Sequence, residues 1–270
     1  MMRFFRYRVS RLGGMLVVLM VLSFALTLGT AMLYVPPAEG AQLGLEGFRV
    51  DYPELARLLN MRASPQGHEF LVSVLFGLLM PAVSILFSFR AVRKLQLEPL
   101  ATGEMTWFLL SPVSRTLIPL THYAAVLLGL FLQYALVALT AWLARFIVPL
   151  WLPDMAALIR TCLGAVFMAS LPLGAAICAA CFSNSGRLPR GLYIVTLSFF
   201  VLRMLANLPG TWGHLRYLTP FTLFDAWGVL AGSQRAVLLS IIAPVSGLLL
   251  AGLGALRFSR NEKNIGEERE

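Results

Sequence analysis

The chain has 270 residues, of which 58% are hydrophobic and only 13% are charged, and its mean hydropathy is +0.77. Soluble domains carry about 25% charged residues, so this composition excludes an ordinary soluble domain and also a disordered or collagen-like chain. The net charge is +9, and a basic excess in so apolar a chain is first interpreted as a signal of membrane topology. The three cysteines, Cys162, Cys178 and Cys181, share one apolar stretch, which excludes a disulfide framework and offers no metal-ligand spacing.

Six apolar stretches are long enough for membrane-spanning helices, each of which needs about 20 mostly apolar residues. We therefore expect an all-α polytopic membrane protein, a single transmembrane domain over residues 1–270, with helices near residues 13–34, 70–89, 118–143, 158–182, 191–208 and 236–257. The first stretch follows four arginines, as a signal peptide would. Its charge-free run of 27 residues is longer than the apolar region of a signal peptide, so it predicts an uncleaved helix.

The distribution of Lys and Arg predicts the orientation, because these residues are retained on the cytoplasmic side of a membrane. With the amino terminus inside, the cytoplasmic segments hold fourteen of these cations and the outer segments hold seven. This bias favours an arrangement with both termini inside. The arginines of the amino-terminal segment, Arg3, Arg6, Arg8 and Arg11, are then expected to reach anionic lipid headgroups.

The inner segment between the second and third spans reads RAVRKLQLEPLATGEMTWFLLSPVSR, residues 90–115. Pro99 suits the first turn of a helix and Pro112 must end one, so the segment predicts a short helix over residues 98–110 along the inner membrane face. Two interpretations remain open. The helix is either an interfacial anchor that binds nothing or a docking element for a cytosolic partner.

Two outer segments also contain predicted structure. Residues 52–61 predict a short amphipathic helix, interpreted as a solvated cap. The segment between the fifth and sixth spans is rich in aromatic residues, and Thr219 and Pro220 have the N-cap and first-turn chemistry of a helix that runs toward Leu230. We expect a re-entrant helical hairpin over residues 212–232. The alternative is an aromatic belt at the outer interface.

Three stretches resemble the membrane subunits of ABC-2 type ATP-binding cassette exporters. The first contains Gly103, Glu104 and then LLSPVSR, residues 109–115. The second is HLRYLTPFTLFD, residues 214–225, and the third is CFSNSGRLPRGLYIV, residues 181–195. The resemblance implies a multi-pass permease of the bacterial cytoplasmic (inner) membrane that works as a dimer.

In that family, two membrane subunits form the substrate pathway and two cytosolic ATPase subunits dock on the short inner helix. The resemblance therefore implies a second membrane subunit, identical or homologous, and two ATPase partners that bind ATP and Mg, with no cofactor in this chain. It assigns contact with the ATPase to Glu98, Gly103, Glu104, Trp107, Leu110 and Arg115. It assigns the pathway and its outer gate to Arg203, Tyr217, Pro220, Phe221 and Asp225.

The residues themselves agree with this division of labour. A phosphate-binding P-loop requires G-x-x-x-x-G-K-[ST], and neither Lys94 nor Lys263 lies in such a context. We therefore expect that the chain is not an ATPase, that its immediate environment is the lipid bilayer, and that nucleic acid is not a partner.

Arg203 and the overall function each have a second interpretation. Arg203 interrupts the fifth span near its outer end, where it either extends to the interface and pairs with Asp225 or lines the pathway and contacts an anionic or zwitterionic substrate. The alternative function is an ATP-independent channel or secondary transporter, although no Asp or Glu falls in a predicted span. An intramembrane hydrolase would need a G-x-S-x-G serine, which the sequence lacks.

Overall fold

The computed structural model describes residues 2–34, 50–61, 67–105, 114–148, 151–183 and 187–267. All regular structure in these ranges is helical, which confirms the predicted all-α class. The α-helices are α1 (Met2–Met32), α2 (Pro53–Leu58), α3 (Gly67–Leu71), α4 (Met80–Val92), α5 (Glu98–Ala101), α6 (Leu117–Ala144), α7 (Met155–Phe182), α8 (Arg187–Leu205), α9 (Ala226–Leu230) and α10 (Gln234–Glu267). Two π-helical segments, π1 (Val72–Leu79) and π2 (Arg93–Leu97), connect α3 to α4 and α4 to α5.

Five helices in the described residues are long and apolar enough to cross a membrane. They are α1, α6, α7, α8 and α10. The segments His68–Gly77 and Met80–Ala101 are bent by 45° relative to each other. Counted together, they form a sixth span. This set of helices indicates a multi-pass membrane protein.

The first and last helices extend beyond the predicted apolar windows. Residues 13–34 and 236–257 were expected, whereas α1 covers Met2–Met32 and α10 covers Gln234–Glu267. Charged residues limit the part of a helix that lies in hydrocarbon, but they do not interrupt backbone hydrogen bonding, because Arg, Lys and Glu are good helix formers. A charge-free window therefore locates a span without locating the ends of its helix.

The second span differs most from its prediction, which placed a helix over 70–89 and a separate coupling helix over 98–110. In the structure α5 follows directly from π2, so residues 98–101 end the second span. The bend in this span coincides with π1 and with Pro81 in the first turn of α4, two recognised causes of kinks. Gly103, with φ at +77°, ends the helix in a left-handed conformation that glycine adopts without strain. Residues 106–110 of the predicted coupling helix lie outside the described residues.

Helix α7 lies at the centre of the bundle. In its most apolar window 72% of the residues are buried, against 17% for α8, and its most extensive partner is α10. The two helices approach closely because Gly174 lies directly against the backbone of Gly247, and Gly247 against the carbonyl of Ser170. Small residues at such crossings let two backbones come together, which is the usual basis of helix packing in membranes.

The two ends of the bundle are chemically distinct. One buried cluster joins Leu12, Leu95, Cys181 and Phe258, so the start of α1 and the late part of α10 lie at the same end. We call this the basic end, because it carries Arg8, Arg11, Arg90, Arg93, Arg190, Arg257 and Arg260. At the opposite end, called the aromatic end, Tyr34 packs edge-on against Phe70 and Trp151 with ring centroids 5.5 and 5.3 Å apart.

Candidate functional site

A narrow cavity lies inside the bundle, between the second span, α6, α7, α8 and the segment before α9. Its volume is about 60 Å³, which is enough for a few water molecules. Aromatic rings form much of its wall, contributed by Phe76, Phe200, Phe221 and Phe224. Polar side chains also line it, namely Asn60, Ser84, Tyr134, Arg203 and Asn207. An aromatic wall with a few polar groups is the usual composition of a small-molecule site, although this cavity is far below the usual volume of one.

Arg203, predicted to lie in the fifth span, does line this cavity and is half-buried. Its Nη1 donates a 2.7 Å hydrogen bond to Oδ1 of Asn207, one turn further along the chain. Asn207 in turn donates through Nδ2 to the carbonyl oxygen of Leu58 at 3.1 Å. The two predicted alternatives for Arg203, an ion pair with Asp225 and a place in the substrate pathway, both stay predictions.

The segment 58–60, at the end of α2, contacts the rim of the cavity. The carbonyl of Leu59 lies directly against Gly77 in π1, where any larger residue would collide with backbone. The carbonyl of Asn60 accepts a 3.2 Å hydrogen bond from Nε1 of Trp227 in α9. The sequence interpretation of residues 52–61 as a solvated cap missed these contacts, because backbone carbonyls leave no signal in a sequence.

A polar network crosses the middle of the bundle next to the cavity. The Ser84 hydroxyl lies 2.8 Å from the carbonyl oxygen of Met80, 3.0 Å from the Tyr134 hydroxyl and 3.3 Å from Oε1 of Gln133. All three side chains in the network are buried. Sequence analysis did not identify this network. A signal was present, because Gln133 is the only residue with an amide side chain in the third span.

The predicted outer hairpin has a broken structure. Instead of one helix from Thr219 to Leu230, the chain forms 3-10 helices over Gly210–Leu218 and Pro220–Leu223 and then α9. The predicted cap is present, because the Thr219 hydroxyl accepts from the Phe221 N–H at 3.3 Å. The same hydroxyl donates to the Phe199 carbonyl at 3.0 Å and so fixes the segment to α8. The helix is interrupted at Phe224 and Asp225, whose backbones are extended, and Phe224 is buried against the cavity.

The predicted gate residues separate into two groups. Phe221 is buried in the cavity wall and packs edge-on against Phe200, with ring centroids 5.6 Å apart. Pro220 holds the first turn of its 3-10 helix, and Asp225 is the half-buried N-cap of α9. Tyr217 is 74% exposed and fits the alternative interpretation of an aromatic belt.

Those predicted ATPase-contact residues that the structure describes lie at the basic end. Glu104 forms a 2.7 Å ion pair with Arg11 of α1, and Glu98 lies 3.8 Å from Nε of Arg93. Gly103 and Arg115 are exposed. Trp107 and Leu110 lie outside the described residues.

Arg8 lies deeper at the same end, and the prediction that it reaches lipid headgroups is wrong. Its side chain is fully buried and donates a 3.2 Å hydrogen bond to the carbonyl oxygen of Leu95 in π2. A second buried contact joins π2 to α7, from Nε2 of Gln96 to Sγ of Cys181 at 3.0 Å. The second span is therefore attached to both α1 and α7 at the basic end. The prediction for Arg8 failed because its hydrogen-bond acceptor is a backbone carbonyl in a π-helical turn, and no sequence pattern identifies such an acceptor.

No known protein family, curated protein or solved structure matches the chain. The resemblance to ABC-2 type membrane subunits thus stays a prediction that depends on the sequence motifs.

Proposed function

We propose that the chain is the membrane subunit of an ABC-2 type exporter in the bacterial cytoplasmic membrane. In this proposal the basic end faces the cytosol and receives two ATPase subunits. A second membrane subunit, identical or homologous, completes the substrate pathway. The observation that supports the proposal best is the attachment of residues 95–104 to the rest of the bundle.

Coupling requires that a displacement at the docking segment reach the spans. Glu104 is joined to α1 by the Arg11 ion pair, and eight residues earlier Gln96 contacts Cys181 in α7. Between them, α5 continues the second span directly to Ala101, and a turn at Thr102 and Gly103 connects α5 to Glu104. A force on this segment would therefore move the second span, α1 and α7 together, as a coupling element must.

The pathway in this proposal lies between two membrane subunits. The internal cavity of one chain, about 60 Å³, is well below the roughly 300–1,000 Å³ of sites that bind small molecules. Arg203, its partner Asn207 and the aromatic gate residue Phe221 would then form the polar and apolar parts of the wall that opens when the subunits separate. A cationic group at that place favours an anionic or zwitterionic cargo.

The ATP that drives transport would be bound by the partners, because the chain has no P-loop sequence. Co-expression of the chain with the genes that neighbour it, followed by purification in mild detergent, should recover a soluble ATPase. The ATPase activity of the recovered complex is the quantity to be compared between variants.

The ion pair of Arg11 with Glu104 allows a charge-reversal test. Arg11→Glu and Glu104→Arg each place like charges together, and we expect each to reduce ATPase activity by about fivefold, since a partly exposed pair contributes up to about 1 kcal/mol. The double variant Arg11→Glu/Glu104→Arg should recover most of the activity. The matched control reverses the exposed pair of Glu54 with Arg57 on α2, 3.0 Å apart, and should change nothing.

The outcome also decides between the two candidate functions. The exporter is supported if the complex contains an ATPase and if its ATPase activity falls only in the Arg11 and Glu104 single variants. A stable oligomer that purifies without any ATPase would contradict it and favour the ATP-independent channel or secondary transporter.

A further inference from the structure

A second cavity lies at the basic end, in the groove between the inner part of the second span and the first turns of α8. Its volume is about 530 Å³, within the range of sites that bind small molecules. It is separate from the central cavity, and no predicted role in transport has been assigned to its arginines.

The charges of the groove favour an anion. Arg90, Arg93 and Arg190 line it together with one carboxylate, Glu98, which leaves an excess of two positive charges. Glu98 lies 3.8 Å from Arg93, too far for a hydrogen bond, and 71% of the Arg93 side chain is exposed. In the part of the chain that the structure describes, Arg90 and Arg190 form no ion pair, and both are exposed. Guanidinium groups arranged in this way are well suited to bidentate binding of phosphate oxygens.

The apolar part of the groove shows where such an anion would lie. Phe89 and Arg90 lie three and four residues after Leu86, so the three residues share one face of α4, and Arg93, the first residue of π2, follows one turn after Arg90. The face therefore changes from apolar to basic within about 10 Å along the helix. Phe89 packs against Tyr193 of α8 with ring centroids 5.1 Å apart, which forms an aromatic floor beside the arginines.

We propose that this groove is a binding site for the phosphate of an anionic phospholipid. The three arginines would bind the phosphodiester, while Leu86 and the pair of Phe89 with Tyr193 would contact the glycerol backbone and the upper acyl chains. Basic pockets between spans at the cytoplasmic face are the sites at which anionic headgroups bind. The site rests on the proposed cytoplasmic orientation of the basic end, but it requires neither an ATPase nor a substrate.

The test is a binding titration of the purified full-length chain in detergent, followed by native mass spectrometry, with phosphatidylglycerol as the probe. Phosphatidylcholine and inorganic phosphate serve as the comparison ligands. We expect phosphatidylglycerol to bind more tightly than either one. In the double variant Arg90→Gln/Arg190→Gln its affinity should fall by about 25-fold, because each arginine near anionic lipid contributes about 1 kcal/mol, or fivefold. Glu98→Gln should tighten binding by about fivefold.

The matched control is the double variant Arg257→Gln/Arg260→Gln, which removes the same charge from exposed positions of α10 at the same end. It should keep the affinity of the unmodified chain. An equal loss in both double variants would overturn the proposal, because binding would then follow net charge and not this groove. Equal affinity for phosphatidylglycerol and phosphatidylcholine would overturn it as well. Inorganic phosphate that displaces the lipid at equal concentration would show that the groove binds free phosphate and would overturn the lipid assignment.

Discussion

Asp154 shows how one exposed residue joins two spans at the aromatic end. Its Oδ1 caps α7 by accepting from the backbone N–H groups of Ala156 at 2.9 Å and Ala157 at 3.2 Å. Its own N–H donates to Nδ1 of His68 at the start of the second span, at 3.1 Å. The N–H of Ala157, more than any other neighbour, holds the pKa of Asp154 below its usual value, because a hydrogen-bonded carboxylate is harder to protonate.

The lowered pKa of Asp154 predicts a pH-dependent contribution to stability. A carboxyl whose folded-state pKa is depressed stabilises the fold above its unfolded pKa of about 4, and this stabilisation is lost as the pH falls through the folded value. Asp154→Asn keeps a capping oxygen but removes the charge. Relative to this variant, the unmodified chain should be more stable at pH 7 and should lose that advantage below about pH 4.

The measurement is the thermal unfolding midpoint in detergent between pH 3 and pH 7. Asp51→Asn is the control, since Asp51 is an exposed acid at the same end of the bundle. A difference between Asp154→Asn and the unmodified chain that stays constant over this pH range would contradict the assigned cap.

At the level of helices, the close contact of α7 with α10 gives a matched glycine pair. A Cβ on Gly247 would collide with the backbone carbonyl of Ser170, whereas a Cβ on Gly252, in the same helix, would meet no atom within 4 Å. Backbone atoms cannot rotate out of the way, so Gly247→Ala must separate the two helices. We expect it to lower the free energy of unfolding by about 1–3 kcal/mol, the usual cost of overpacking.

Gly252→Ala should be neutral or should stabilise the chain by up to about 1 kcal/mol, because alanine is the better helix former. Denaturant unfolding of both variants in bicelles measures the difference. Equal effects of the two substitutions would show that α7 and α10 do not pack through Gly247.

The helices also show what the sequence could predict. The apolar spans of α6 and α7 follow from composition alone, since both are long charge-poor stretches without a break in their helix. The path of the second span does not follow from it, because the π-helical turns at residues 72–79 and 93–97 are shaped by tertiary contacts such as the Leu59 carbonyl against Gly77. Helix propensity depends on the local sequence, so it cannot predict a carbonyl that another segment places against the helix.

The candidate site shows the same limit at the scale of the whole molecule. Arg203 could be identified because an arginine in an apolar span is costly and therefore conspicuous. Phe221 was identified from a sequence motif. In the structure, Arg203 and Phe221 line the same cavity. The buried network of Ser84 with Tyr134 and the burial of Arg8 depend on how separate helices meet, and other arginines of the chain, such as Arg90 and Arg190, are exposed.

The orientation of the whole bundle is the property on which the proposed function depends most directly. The excess of cations at the basic end predicts that this end faces the cytosol. Leu188 and Thr211 are both exposed and lie at opposite ends of α8, the first near the basic end and the second beyond the last turn. A cysteine at each place, in a chain whose native Cys162, Cys178 and Cys181 are replaced by alanine, reports which end is outside.

In intact cells, a membrane-impermeant maleimide should label Thr211→Cys within minutes and should label Leu188→Cys only after permeabilisation. The cysteine-free chain controls for background labelling, and the labelling of both variants in detergent controls for reactivity. The reversed pattern would place the basic end outside the cell and would remove the docking surface for a cytosolic ATPase. Labelling of both positions in intact cells would show that α8 does not cross the membrane, because one impermeant reagent cannot reach both ends of a spanning helix from one side.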